Sequence, residues 1–182
     1  MDKVNQNTNK VNNSKFRTSL LKWYDKDARK LPWRIPPELT KKGVKNDPYK
    51  IWLSEIMLQQ TGVKTVQNYY LKFINKWPKI QNLNEASEND ILKEWSGLGY
   101  YRRALNLKRC AKIICDNYNG KFPDSEKDLL NLPGIGNYTA AAIISIAFNK
   151  PAIVIDGNIQ RISSRLYEIK EDLKKSKSKI YE

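Results

Sequence analysis

Apolar residues recur three and four positions apart along most of this 182-residue chain, a spacing that places them on one face of an α-helix. Phe16, Leu20 and Trp23 show it near the N-terminus. No segment alternates apolar and polar residues over the length that a β-strand needs. The pattern therefore predicts an all-α fold without internal repeats. The predicted helices span about 16–27, 48–61, 64–77, 87–96, 101–118, 126–131, 137–148 and 157–167.

Capping and helix-breaking residues mark the limits of these helices. Ser87 and Ser125 are each followed by an aspartate three positions later, a pattern typical of helix N-termini. Residues 31–48 contain four prolines and a glycine and are predicted to form a loop. Residues 1–14 are polar and rich in asparagine, and they are predicted to form a flexible tail.

Composition narrows the possible functions. The net charge of +14 favours a polyanionic partner, although ribosomal and membrane-surface proteins share this property. The absence of histidine excludes His-based acid–base catalysis and His metal ligands. Two cysteines, Cys110 and Cys115, are too few for an iron–sulfur cluster, which normally needs four, and we interpret them as core residues. Because no signal peptide or membrane span is recognisable, we expect a cytoplasmic protein.

A Gly-x-Gly turn in LPGIGNYTAAAIISIAF joins two predicted helices. Gly134 and Gly136 allow a tight hairpin whose backbone N–H groups, beside a helix N-terminus, can bind a phosphate without reading bases. An ordinary turn between packed helices is the alternative. The preceding Leu-Pro pair and the alanine-rich segment that follows favour DNA binding.

Two carboxyl groups stand out as candidates for chemistry. Asp156 directly precedes a predicted helix, where an aspartate usually serves only as a cap; a capped carboxylate is also fixed in the way that a cationic sugar transition state requires. Glu55 lies among apolar residues of its predicted helix, so burial would raise its pKa and suit it as a general acid. Alternatively, Glu55 lies at the edge of the apolar face and reaches solvent. Together the two suggest glycosidic cleavage by a pair of carboxyl groups.

Several segments together resemble one enzyme family. The segments LPWR, WLSEIMLQQT, WSGLGYYRRALNL, GKFP, LPGIGNYTAAAI and IDGNIQR occur in the order found in adenine DNA glycosylases of the helix-hairpin-helix superfamily. The similarity covers about residues 16–170. It implies a base-excision repair enzyme that hydrolyses the N-glycosidic bond of adenine mispaired with 8-oxoguanine or guanine. The implied partner is double-stranded DNA containing that mispair, bound by a monomeric protein.

The resemblance also assigns roles within the reaction. Glu55 would protonate adenine and then activate water, and Asp156 would stabilise the oxocarbenium-like sugar. Asn158, in the same DGN motif, would help to place that carboxylate and the water. Tyr138 occupies the position at which lyase relatives such as endonuclease III carry a Schiff-base lysine. Because tyrosine cannot form an imine, the resemblance implies a monofunctional glycosylase.

Other residues match family positions that contact DNA. Gln59 and Gln60 resemble residues that probe the opposite strand, and Tyr100 or Tyr101 resembles an intercalating tyrosine that helps to extrude the target base. Plain core packing is the alternative for these residues. In addition, the resemblance places Trp33 and Arg34 in the adenine pocket.

The family fold has two helical lobes with DNA across the cleft between them. Residues 36–147 would form a six-helix barrel lobe that includes the helix-hairpin-helix at 126–147. Residues 15–35 would supply an N-terminal helix to the second lobe, which would resume at 148–182. Here the polar segment IPPELTKKGVKN is longer than the family's and would enlarge a surface loop near the DNA.

The family continues into a four-cysteine 4Fe-4S motif and a domain that senses oxidised guanine. This sequence lacks those four cysteines, so we expect no metal ligands in it and interpret it as a C-terminally truncated fragment whose own activity is in question. Two other functions compete with the adenine glycosylase: an endonuclease III-type glycosylase with AP lyase activity, and a non-catalytic DNA-binding fragment that uses only the hairpin.

Overall fold

The computed structural model describes residues 13–170, and within that range it contains ten α-helices and no strand. The predicted all-α class is confirmed. None of these helices is both long enough and apolar enough to cross a lipid bilayer. The predicted tail lies outside the described residues, apart from its last two, which begin α1. The helices are α1 (Asn13–Asp27), α2 (Pro37–Lys41), α3 (Pro48–Leu58), α4 (Val63–Lys76), α5 (Ile80–Glu85), α6 (Glu88–Trp95), α7 (Arg102–Tyr118), α8 (Glu126–Leu130), α9 (Asn137–Ala147) and α10 (Gly157–Leu166).

The described chain forms two compact units. The larger is Lys30–Val154 and contains α2 to α9; the smaller combines residues 13–29 with 155–170 and contains α1 and α10. The larger unit begins earlier in the sequence and ends later than the barrel lobe expected at 36–147. In the smaller unit, the Tyr167 hydroxyl donates a hydrogen bond of 3.1 Å to Asn13.

The larger unit is built around aromatic side chains. Trp52, Phe73 and Trp95 are completely buried, and the Phe73 and Trp95 rings meet edge to face with centroids 5.6 Å apart. They come from α3, α4 and α6, so one cluster holds three helices together. A large core aromatic is costly to remove: replacing one by alanine typically lowers stability by roughly 3–5 kcal/mol. The core therefore stabilises the position of α3 and of the side chains on it.

Helix starts follow the capping residues that the sequence shows. The Asp47 side chain accepts a hydrogen bond of 2.9 Å from the backbone N–H of Tyr49, and Pro48 occupies the first turn of α3. The hydroxyls of Ser87 and Ser125 accept hydrogen bonds from backbone N–H groups in the first turns of α6 and α8. These side chains satisfy N–H groups that have no partner within their helices. The predicted starts of these three helices are confirmed.

Two short helices, α2 and α5, differ from the prediction. The prediction that all of 31–48 is loop is wrong, because a single helical turn, α2, occupies Pro37–Lys41. Pro37 suits the first turn of a helix, and Gly43, at φ 84°, directs the chain away from it. The second, α5 at Ile80–Glu85, was not predicted. It is only six residues long, and burial of Ile80 and Leu83 fixes it where propensity alone does not.

Candidate active site

Glu55 lies near the middle of α3, directly between the buried residues Ser54 and Ile56, and is itself partly buried. Burial raises the pKa of Glu55 from its ordinary value of 4.5 to about 7, because the carboxylate loses hydration that its protonated form needs less. A carboxyl group with this pKa holds a proton for a substantial fraction of the time at neutral pH. It can therefore donate that proton to a leaving group.

Two other candidate residues lie beside Glu55. The Tyr138 hydroxyl donates a hydrogen bond to the Glu55 carboxyl group, and the positive charge of Arg34 acts on the same group. Both lower the pKa of Glu55, but burial raises it by more. The fold thus brings together residues from three separate segments: the loop before α2, helix α3 and the first turn of α9.

Trp33 has a different environment from its neighbour Arg34. Its side chain is 8% exposed, and its ring meets that of Tyr70 edge to face at 5.2 Å between centroids. The structure therefore places Trp33 in the core of the larger unit. Of the two residues expected to line an adenine pocket, Arg34 is the one that acts on Glu55.

The Gly-x-Gly turn forms the predicted connection between α8 and α9. Leu132 and Ile135 are buried and anchor the turn, while Gly134 and Gly136 are exposed. Gly134 has φ 81°, a backbone conformation that favours glycine, and a Cβ added there would lie 3.1 Å from the Cβ of Asn106, which would have to move by a few tenths of an ångström. No side chain caps α9, so no side chain occupies the N–H groups of its first turn, and helix N-termini of this kind can accept an anion.

Gln59 and Gln60 follow directly after α3. The Gln59 side-chain amide is 3.4 Å from the Gly134 carbonyl and 3.4 Å from the Thr139 hydroxyl, distances at the outer limit of hydrogen bonding. Gln60 is exposed and has the left-handed value φ 56°. Thus Gln59 connects the end of α3 to the hairpin, and Gln60 is presented at the surface.

Tyr100 and Tyr101 lie between α6 and α7 and are both at the surface. Their side chains are 61% and 47% exposed, which rules out core packing for either ring. The two tyrosines share a cleft of about 390 Å³ with Gln59, Gln60, Arg102, Arg103 and Asn106. All four residues expected to contact DNA near the lesion therefore border one cleft, although they come from two segments about 40 positions apart.

Sequence reasoning missed Arg103, whose side chain is buried in the wall of this cleft. Its Nη1 donates to the carbonyl oxygens of Ile56, Met57 and Gln59 at 3.1, 2.8 and 2.5 Å. Two of these carbonyls belong to the last turn of α3, where helix carbonyls have no partner within the helix. Arg103 thus acts as a C-terminal cap for α3.

The other terminal nitrogen of Arg103, Nη2, contacts both the loop after α3 and the loop before α7. It donates to the carbonyls of Leu98 and Gly99 at 3.3 and 3.2 Å, and to the Thr61 hydroxyl at 3.0 Å. The sequence did hold a signal for this position. Residue 103 lies in register with the buried residues of α7, Leu107, Cys110 and Ile114, so an arginine there is expected inside the protein, with hydrogen-bond partners for its terminal nitrogens.

Asp156 belongs to the smaller unit and forms the N-cap of α10. One carboxylate oxygen accepts hydrogen bonds from the backbone N–H groups of Asn158 and Ile159, at 2.9 and 2.7 Å. The other accepts from the side-chain amide of Asn158 at 3.1 Å. The side-chain carbonyl of Asn158 in turn accepts a hydrogen bond from Arg161. Capping and a fixed carboxylate, the two roles that the sequence left open, are therefore met by the same geometry.

The cysteines of this chain do not fit an iron–sulfur cluster. Cys110 is buried in the core of the larger unit, where burial raises the pKa of its thiol, and Cys115 is partly buried. Both lie on α7, and the sequence contains no others. Within residues 13–170 no group of three or more Cys, Asp or Glu side chains is placed to hold a metal ion. A 4Fe-4S cluster would need cysteines that this sequence does not contain.

Comparison with known families and folds accords with this geometry. The model of the family described as "HhH-GPD superfamily base excision DNA repair protein" matches residues 53–182. This chain belongs to the HhH-GPD superfamily. The matched range includes Glu55, the hairpin and Asp156, so the superfamily match spans both units.

Two curated relatives are named adenine DNA glycosylase. The chain is 48% identical over 155 residues to the adenine DNA glycosylase of Buchnera aphidicola subsp. Baizongia pistaciae, covering 85% of this chain and 42% of that protein. It is 44% identical over 160 residues to the mouse adenine DNA glycosylase, covering 86% of this chain and 30% of the relative. The chain thus spans less than half the length of these relatives.

Solved structures show the same fold. A thermostable thymine-DNA glycosylase superimposes with a TM-score of 0.73 at 31% identity, covering 86% of this chain and 70% of the other. A non-covalent endonuclease III–DNA complex superimposes with a TM-score of 0.70 at 21% identity, covering 92% and 75%. The HhH-GPD glycosylase fold expected from the sequence motifs is confirmed.

Proposed function

We propose that this chain carries the catalytic residues of an adenine DNA glycosylase that acts on adenine mispaired with 8-oxoguanine or guanine. One observation carries the proposal: Glu55, with a pKa raised to about 7, lies on the unit that also carries the exposed hairpin. The larger unit would thereby carry both the proton donor for an N-glycosidic bond and the turn that binds phosphate. The names of relatives at 44% and 48% identity support adenine as the base.

In the proposed reaction Glu55 gives its proton to adenine. The bond between adenine and the sugar C1′ then breaks, its electron pair leaves with the base, and the sugar becomes an oxocarbenium ion. A water molecule next forms a bond to C1′ and returns a proton to the Glu55 carboxylate. The net change is hydrolysis of one N-glycosidic bond, with Glu55 restored.

Asp156 is proposed to stabilise the positive sugar. Its three hydrogen bonds, two from backbone N–H groups and one from Asn158, fix the orientation of the carboxylate before the reaction begins. A charge that is already oriented stabilises a transition state without reorganising during the reaction. Asn158 therefore acts as a positioning residue for Asp156.

Tyr138 is the basis for proposing a monofunctional enzyme. Its hydroxyl is hydrogen-bonded to Glu55, which supports a position for residue 138 at the proposed reacting centre. A phenol cannot form the imine through which a lyase cuts the strand. Borohydride treatment during the reaction tests this directly: a covalent protein–DNA product would contradict it and favour the lyase alternative.

DNA binding is assigned to the exposed part of the larger unit. The hairpin of Gly134 and Gly136 would contact phosphate, aided by the net charge of +14. Gln60, Tyr100 and Tyr101 would enter the duplex from the cleft when the base is extruded, with Gln59 beside them. Arg34 would lie near the extruded adenine, because its positive charge acts on the Glu55 carboxyl group. Trp33, buried in the core, would support the position of Arg34. We expect the protein to bind as a monomer wherever the cell keeps its DNA.

Single-turnover release of adenine tests the proposal, using the complete natural protein that carries this sequence. Duplexes with adenine opposite 8-oxoguanine, guanine and thymine should be compared. The proposal requires release from the first two and none from the correct pair. If binding is retained but no substrate loses adenine, the non-catalytic alternative is favoured.

A further inference from the structure

The cleft contains two residues with an unusual backbone. Gln60 and Tyr100 have φ of 56° and 51°, in the left-handed region that is unfavourable for residues with a side chain. They lie on different loops, one after α3 and the other before α7. Such conformations persist only where the surroundings impose them, and they cluster at functional sites. Something must therefore hold both loops.

One guanidinium group meets this requirement. Arg103 donates to the Gln59 carbonyl at 2.5 Å and to the Gly99 carbonyl at 3.2 Å. These carbonyls belong to the peptide groups directly before Gln60 and Tyr100. Because a peptide group is planar, a carbonyl held in one direction also fixes the orientation of the N–H that begins the next residue. The planar fork of arginine can serve two loops at once because its terminal nitrogens point in different directions.

Further contacts lock the arginine itself. Its guanidinium carbon lies 5.2 Å from the centre of the Trp95 ring and 5.4 Å from that of Tyr100, within the range of cation–π attraction. The Trp95 indole N–H also donates to the Gly99 carbonyl at 2.9 Å. Arg103 thus lies against both a core ring, Trp95, and the exposed ring of Tyr100.

We infer that Arg103 is a positioning residue that sets Gln60 and Tyr100 in their left-handed conformations and couples the two loops into a single element for entering DNA. Its role in extrusion rests on the proposed function, whereas its hold on the loops does not. Gln60 and Tyr100 meet the DNA, and Arg103 acts only through them.

The test replaces Arg103 by lysine, which keeps the charge but loses the fork. Arg109→Lys is the matched control, because Arg109 is exposed on the same helix and outside the cleft. Amide hydrogen exchange should accelerate by about tenfold or more in both segments, 59–61 and 98–100, since several hydrogen bonds to one donor group are lost. The control should change neither. Unchanged exchange, or acceleration in one segment alone, would overturn the inference.

A second measurement separates positioning from plain structural support. Adenine release is timed on two duplexes, one with adenine opposite guanine and one with adenine opposite an abasic site, where no partner base has to be separated. Arg103→Lys should slow the first by about tenfold more than the second, because only the first needs the full work of extrusion. Equal slowing on both would mean that Arg103 only supports the fold, and would overturn the coupling.

The two measurements also separate this inference from the proposed function. If the wild-type protein releases no adenine from any duplex, the proposed function fails. Hydrogen exchange then decides alone whether Arg103 holds the two loops. If the wild-type protein is active and Arg103→Lys leaves both exchange and the ratio of rates unchanged, the inference fails while the proposed function stands.

Discussion

Glu55 and Asp156 differ in their place within a helix and in the number of hydrogen bonds that their carboxyl groups accept. Glu55 lies in the middle of α3 among buried residues, and one phenol hydroxyl donates to it. Asp156 lies at the start of α10 and accepts three hydrogen bonds, two of them from the backbone. In the first environment lost hydration favours the protonated carboxyl group. In the second, hydrogen-bond donors surround the carboxylate and hold it in one orientation.

Under the proposed function, this contrast would let the same functional group serve two chemical roles. An N-glycosidic bond breaks more easily when a proton reaches the base and a negative charge faces the sugar. In the proposed reaction one carboxyl group gives the proton and the other faces the sugar, and their different environments suit them to these separate roles. Substitutions that change one environment at a time test that division.

Glu55→Gln should have the largest effect on the rate. Glutamine is nearly the same size but has no proton to give at neutral pH, so adenine release should fall by up to about 10⁴-fold. DNA binding should change little, because the hairpin is untouched. Single-turnover kinetics and a binding titration on the same duplex measure both. A rate near that of the wild type would refute the role of Glu55 as acid.

Asp156→Asn should be next, with release slower by about 10²–10³-fold, the usual cost of losing one oriented electrostatic group. Asparagine is itself a good N-cap, so the free energy of unfolding should fall by less than about 1 kcal/mol. Asp156→Ser is the control, since serine also caps a helix without a charge. If either variant folds and still releases adenine at nearly the wild-type rate, Asp156 is only a cap.

Stability should depend on pH through Glu55. Its pKa is about 7 in the folded protein against an ordinary 4.5, so the folded state holds the proton more tightly. The resulting stabilisation is fully present below about pH 4.5 and is lost as pH rises through 7, with an amplitude of up to about 3 kcal/mol. Glu55→Gln has no such titration. The free energy of unfolding should therefore be measured with denaturant for both proteins between pH 4 and 8. As pH rises, the stability of Glu55→Gln relative to the wild type should increase. If the two free energies change in parallel, the pKa of Glu55 lies near its ordinary value.

The smallest effect should come from Tyr138→Phe. The Tyr138 hydroxyl lowers the pKa of Glu55, so removing it should raise that pKa further. Release requires protonated Glu55 and should fall above about pH 7 in the wild type; in the variant this fall should begin at a higher pH. The shift should be small, because burial is the larger influence on the pKa of Glu55. A fall at lower pH would contradict the hydrogen bond.

Much of the local structure could be predicted from particular residues. Ser87, Ser125 and Asp156 cap the helices that follow them, because capping depends only on residues within one turn. The turn at Gly134 was recognisable for the same reason. Helices α2 and α5 were not, since five or six residues carry too little periodicity for a prediction and depend on neighbouring elements for stability.

The sequence by itself determined the all-α class, the hairpin and the positions of the two carboxyl groups, since periodicity and capping are local properties of the chain. Only the tertiary structure could decide that Glu55 is buried deeply enough to have a pKa near 7, and that Tyr138 and Arg34 lie beside it. Only the tertiary structure could show Arg103 joining two loops about 40 residues apart. Burial and hydrogen bonds between distant segments depend on how helices pack, and packing is a property of the whole chain.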